Sequence, residues 1–178
     1  VRYVGVSNWA AWQVAKAVGI AECRGLAPIA SLQAYYTLVG RDLEREIVPM
    51  LQSEGVGLMV WTRLAGGLPW GKYRRDGEAD TGNRRTSFDF PPIDRERGHG
   101  IVEVMREVAE GKGGSVAQIA LAWLLHQPTV STVIIGARRI DQLEDNLASV
   151  DVELSARELA RLDEVSRLAA EYPGWVMQ

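Results

Sequence analysis

The sequence predicts an α/β fold on a parallel sheet, of the (β/α) barrel class rather than an open doubly wound sheet. Three observations carry that prediction. Four short β-rich runs recur, each followed by a helical pattern. The runs are apolar, as strands covered by crossover helices must be, and such crossovers run right-handed. The first run passes into its turn through Gly5-Val6-Ser7-Asn8-Trp9, which lacks the G-x-G-x-x-G turn that opens a doubly wound dinucleotide-binding sheet. At 178 residues the chain is expected to form a single domain, 1–178, since domains commonly span about 100–200 residues.

The elements follow in order. The first strand, Tyr3–Val6, leads into a helix over Ala10–Ala17, with Ser7 or Asn8 as its cap. The second, Ile29–Tyr35, precedes polar residues 40–46 and a helix over Pro49–Glu54, with Pro49 expected at the first helical position. The third, Gly57–Trp61, precedes a long aperiodic stretch from Thr62 to Pro92, then helices over Arg95–Glu110 and Val116–His126. The fourth, Thr132–Ile135, leads into a helix over Asp141–Ala148. A last helix, Ala156–Leu168, opens with Ser155-Ala156-Arg157-Glu158, the spacing of a capping box.

Composition narrows the function. A net charge of −3 gives no electrostatic case for nucleic acid or an anionic membrane, and no apolar run approaches the roughly 20 residues that span a bilayer. Cys23 is the one cysteine, and His99 and His126 are isolated from each other and from it. A disulfide framework and a zinc site are therefore not expected, and a reducing cytoplasm fits.

In an α/β barrel the working residues stand at the C-terminal ends of strands. Here those positions hold Ser7-Asn8, Gln33 to Tyr36, Trp61-Thr62 and Gly136 to Arg138. Ser, Asn and Gln suit the donors and acceptors of a neutral carboxamide, and Trp61 offers a face for a planar ring. The segment Val133–Asn146 is the most informative. A strand ends in Gly136-Ala137, Arg138 and Arg139 follow, and a helix begins that carries Gln142, Asp145 and Asn146. A small-residue turn, a helix N-terminus and a guanidinium suit a phosphorylated ligand. The stretch after Trp61 carries Lys72, Arg74, Arg75, Arg84 and Arg85; at that length it reads as a lid over a diphosphate or as a solvated surface loop. Each residue alone has a plain structural reading, as a cap, a satisfied amide or core. Together they describe a cradle for a nicotinamide dinucleotide.

The same residues resemble the aldo-keto reductase superfamily, in its bacterial and potassium-channel-β-like branch. The family's G-V-S-N is matched by Gly5–Asn8, and its Q-x-x-Y-S-L-x-x-R-x-x-E by Gln33–Glu44. Its W-S-P-L-A-G-G and G-K-Y are matched by Trp61–Gly67 and Gly71–Tyr73, and its I-G-A…Q-L-x-E-N-L by Ile135–Ala137 and Gln142–Leu147. The resemblance implies strands 5–8 of a (β/α)8 TIM barrel with a C-terminal helix, the C-terminal half of the domain. It implies NADP(H) as cofactor, with Ser7, Asn8 and Gln33 on the nicotinamide carboxamide and Trp61 stacked on its ring. Thr62, Arg63, Leu64, Gly66 and Lys72 would line the diphosphate path; Gly136, Arg138, Gln142, Asp145 and Asn146 would hold the adenosine end, Arg138 favouring the 2′-phosphate. Three departures stand out: Arg63 replaces a usual Pro, Tyr35 stands where Glu is frequent, and Asp145 replaces Glu.

The family draws its catalytic Asp, Tyr, Lys and His from the first four strand ends, so no residue here takes those roles, His99 and His126 included. The expected parent is a cytoplasmic NADPH-dependent reductase of small aldehydes or ketones, this chain alone being inactive. The alternatives are a non-catalytic nucleotide-binding or regulatory module and an inactive truncated fragment. Half a barrel exposes its inner face and two sheet edges. The expected partner is therefore an N-terminal half-barrel or a second copy of this chain, and a lone monomer is not expected to persist.

Overall fold

A computed structural model describes residues 1–61 and 95–176. Its strands, β1 (Val4–Ser7), β2 (Ile29–Tyr35), β3 (Gly57–Trp61) and β4 (Val130–Ile134), lie side by side in chain order, and each neighbouring pair is parallel. The helices are α1 (Ala11–Arg24), α2 (Ile47–Glu54), α3 (Arg95–Lys112), α4 (Val116–Leu125), α5 (Ile140–Leu147) and α6 (Ala156–Ser166), with short 3-10 turns at Asp42–Glu44 and Ala148–Asp151.

Strand alternation separates the two faces of the sheet. Leu32, Ala34, Leu58 and Val60 are buried and share one core with Val14 and Val18 of α1, Leu51 of α2, Ile101 and Met105 of α3, Trp123 of α4 and Leu162 of α6. Each fully buried Leu, Ile or Met stabilises the fold by about 2 kcal/mol relative to exposure. The alternate positions, Ser31, Gln33, Tyr35, Met59 and Trp61, are only half-buried. Helices α1, α2, α3, α4 and α6 share that one core face, which fits the barrel class and not a doubly wound sheet, covered on both faces. Among the described residues no helix is long and apolar enough to cross a membrane.

Three local expectations are corrected. Neither Ser7 nor Asn8 caps α1. Ser7 closes β1, Asn8 turns the chain at φ 57°, and the N-cap is Ala10, whose amide is bonded by Gln13 Oε1 at 2.9 Å. Helix α2 opens two residues earlier than Pro49, at Ile47. Pro49 is thus third in the helix, still within the first turn, where a missing N–H breaks no intrahelical bond. The fourth strand runs from Val130 and ends at Ile134, so Ile135 already belongs to the turn.

The capping box at Ser155 forms as expected. Glu158 Oε2 accepts from the Ser155 amide and hydroxyl, both at 2.7 Å, and Lys112 Nζ of α3 stands 3.0 Å from it. The Ser155 bonds, aided by Lys112, hold the Glu158 carboxyl down to about 2. A depressed carboxylate stabilises the fold fully above its ordinary value of 4.5 and loses that contribution as pH falls towards about 2. Glu158→Gln keeps the box geometry but removes the charge. Thermal melts of the two proteins should therefore differ at pH 7 and converge between pH 4.5 and 2. A gap that stays constant across that window would show that the charge contributes nothing.

Candidate cofactor site

The parallel register brings three strand ends to one edge and one face. Ser7 pairs with Gln33, Gln33 with Met59, and Tyr35 with Trp61, so Ser7, Gln33, Tyr35 and Trp61 all project from the face opposite the helices. Asn8, one residue past β1, is the pivot. Its amide donates to the Gln33 carbonyl at 2.9 Å, its Nδ2 donates to Ser7 Oγ at 2.9 Å, and its Oδ1 accepts from Trp61 Nε1 at 2.9 Å. Asn is among the few residues that tolerate the left-handed backbone this pivot requires. The Gln33 carboxamide lies half-buried on the same face and has no partner among the described residues. A planar indole, a free carboxamide and a hydroxyl thus share one open surface.

The second part of the site follows β4. Gly136 faces open space, so that a Cβ there would meet nothing within 4 Å. The Arg138 amide donates to Gln142 Oε1 at 3.2 Å, which fixes the turn against α5, while the Arg138 guanidinium is exposed and unpartnered among the described residues. No side chain of the N-cap residue Arg139 caps α5, and the Asp141 carboxylate in its first turn is bonded by the Asp141 and Gln142 amides. Arg139 is committed elsewhere. It grips Asp141 through two bonds, Nε–Oδ1 at 2.9 Å and Nη2–Oδ2 at 2.5 Å. That contact lowers the Asp141 carboxyl and raises the Arg139 guanidinium.

Asp145 and Asn146 sit differently from a simple ligand-facing pair. Both Asp145 oxygens are engaged, accepting from Ser115 Oγ and Gln118 Nε2 of the α4 cap, each at 2.9 Å. The shorter carboxylate at this position therefore ties α5 to α4. Asn146 is buried, and its Oδ1 has no partner among the described residues. A buried acceptor without a donor costs about 1–3 kcal/mol, so a donor brought to it would be stabilising. The clear space at Gly136 and the unpartnered, exposed Arg138 guanidinium beside it, among the described residues, leave room for an anionic group at this turn. Thr62, Arg63, Leu64, Gly66 and Lys72 lie outside the described residues.

Two groups that the sequence places in motifs take roles it did not assign them. Tyr35 packs on Trp61, with ring centroids 5.1 Å apart and planes at 46°. Arg41 joins Glu44, Asp163 and Ser166 beneath the site. The motif spacing names Arg41 and Glu44, but Asp163 is reached only across the fold.

The model of the aldo/keto reductase family matches residues 1–167. The oxidoreductase YrpG of Bacillus subtilis is 32% identical over 165 residues, covering 93% of this chain and 49% of that protein. Norsolorinic acid reductase stcV of Emericella nidulans is 36% identical over 171 residues, covering 96% of this chain and 42% of that one. Protein tas of Escherichia coli is 34% identical over 169 residues, 94% of this chain and 49% of that one. The chain spans about half the length of the curated relatives it matches.

Proposed function

The chain belongs to the aldo/keto reductase family, and from that premise we propose that it is the cofactor-holding side of an NADP(H)-dependent reductase of aldehydes and ketones. One observation carries the reading: Ser7, Asn8, Gln33 and Trp61 share the open face at adjacent strand ends, in the same sheet whose last strand leads into the Gly136–Arg138 turn. Relatives named as reductases support the direction of the chemistry. When bound, the nicotinamide supplies the hydride chemistry. The residues here bind and orient: the Gln33 carboxamide and Ser7 hydroxyl offer hydrogen bonds to a carboxamide, Trp61 offers a stacking plane, and Arg138 offers charge to a 2′-phosphate.

In this reading the chain is the C-terminal half of the barrel, strands 5–8. Support comes from the apolar side chains left exposed on both flanks of the sheet: Tyr3, Val4, Trp9 and Trp12 beside β1, and Ile134, Ile140, Leu143 and Leu147 beside β4. An N-terminal half-barrel or a second copy covers them, and the proton donor to the carbonyl sits on the half that completes the barrel. Tyr36 is not that donor. Burial, then its bond to Glu44 Oε1 at 2.5 Å, raises its hydroxyl well above the ordinary range, and it lies in the helix-side core.

The test mixes the purified 178-residue chain with NADPH and 4-nitrobenzaldehyde and follows absorbance at the reduced-cofactor band. Binding without turnover is expected, in a species that sediments as larger than a monomer or with its complementary half. Turnover by the chain alone would refute the division of labour. A stable lone monomer with a cooperative melt would refute the half-barrel reading, and no NADPH binding in any assembly would refute the cradle.

A further inference from the structure

We infer that Tyr35, the residue standing where the family resemblance leads one to expect Glu, is a positioning residue that fixes the plane of Trp61 and so the plane of whatever ring stacks on it. The inference rests on the cofactor reading above and deepens it at one position.

Two directional contacts orient the Trp61 indole: the 2.9 Å bond from its Nε1 to Asn8 Oδ1 and the Tyr35 ring at 5.1 Å. A single hydrogen bond at one edge acts as a hinge, and a plane free to swing about it gives a stacking partner no defined orientation. The Tyr35 ring removes that freedom.

Tyr35 in turn packs against a turn in which a side chain at one point would displace its ring. Thr37 and Gly40 exchange backbone bonds, Thr37 N to Gly40 O at 3.2 Å and Gly40 N to Thr37 O at 3.0 Å, and the Tyr35 hydroxyl meets Thr37 Oγ1 at 3.4 Å. A Cβ on Gly40 would stand 2.4 Å from Tyr35 Cε1, so the ring occupies the space a side chain at position 40 would need. Gly40, Tyr35, Trp61 and Asn8 form a continuous line of contacts across the ends of β1, β2 and β3. A glutamate at position 35 has no ring with which to brace an indole.

The experiment compares wild type with Tyr35→Leu, Tyr35→Phe and Gly40→Ala, in the assembly in which the protein purifies. The contribution of Trp61 to the near-ultraviolet circular dichroism is taken as the difference between each protein and its Trp61→Phe counterpart. Affinities are measured for NADPH and for adenosine 2′,5′-bisphosphate, which carries only the end assigned to Arg138. Tyr35→Leu and Gly40→Ala should both diminish the Trp61 signal and weaken NADPH by about five-fold, the scale of one aromatic pair, with the bisphosphate unchanged. Tyr35→Phe should restore both readouts, since the ring rather than the hydroxyl makes the contact. Gly40→Ala keeps every atom of Tyr35 but displaces its ring, so it decides the matter if Tyr35→Leu does not fold. An unaltered Trp61 signal and NADPH affinity in Tyr35→Leu or Gly40→Ala would overturn the brace. If wild type itself binds neither ligand while the Trp61 signal still responds to Tyr35, the cofactor reading falls and the contact is structural only.

Discussion

Replacing Arg138 by methionine is expected to weaken NADPH binding by about 30-fold and NADH binding by less than about two-fold, the difference expected for one charge-assisted contact to a phosphate. Two arginines stand side by side after the Gly136 turn, and geometry distinguishes them. Arg139 has both ends of its fork on Asp141, so using it for a ligand requires breaking an existing pair. Among the described residues the Arg138 guanidinium has no partner to lose, and its backbone is already fixed by Gln142. Arg139→Met serves as the internal comparison and should move neither affinity appreciably. Calorimetric titration with both cofactors reads the result. Equal losses for NADPH and NADH in Arg138→Met would place the 2′-phosphate elsewhere and remove the basis for preferring NADP(H).

What the sequence made legible, and what it did not, divides along physical lines. The sheet was readable because parallel strands under helices need apolar runs, and Ile29–Tyr35 and Gly57–Trp61 fall where the pattern places them. The Ser155 cap was readable because its partner is three residues away. Ser7 and Asn8 were placed at the right strand end but given a second task, capping α1, that falls to Ala10, two residues beyond the left-handed turn at Asn8. Asp145 was recognised as a departure, yet the donors that engage it come from Ser115 and Gln118, some thirty residues back in the chain. Local signals reach one helical turn. Contacts such as these are decided by which helices become neighbours, and no spacing rule encodes that.

Replacing Arg41 by methionine is expected to cost about 3 kcal/mol of folding stability, the scale for breaking a largely buried ion pair. Its side chain is 11% exposed. Its Nε and Nη2 meet the two oxygens of Glu44 at 2.7 and 3.1 Å, and its Nη1 donates to Asp163 Oδ1 at 2.8 Å and Ser166 Oγ at 2.6 Å. Its guanidinium carbon also stands 5.0 Å from the centre of the buried Trp123 ring, a cation–π contact that adds to the packing. Burial works against the charge, but Glu44 and Asp163 more than offset it and raise the guanidinium above its ordinary value. Removing it leaves the Glu44 carboxylate with the Tyr36 hydroxyl and the Asp163 carboxylate with Trp123 Nε1, at 2.5 and 3.2 Å, as neutral donors. Arg41→Lys keeps the charge but not the fork, and should recover no more than about half of the loss. Because Asp163 is 41% exposed, water can solvate it in part, so Asp163→Asn should cost less than Arg41→Met. Denaturant melts of the two single variants and the double variant give the coupling, expected at about 1 kcal/mol. If the effects simply add, Arg41 and Asp163 do not act as a unit, and Arg41 holds α6 through Ser166 Oγ rather than through Asp163.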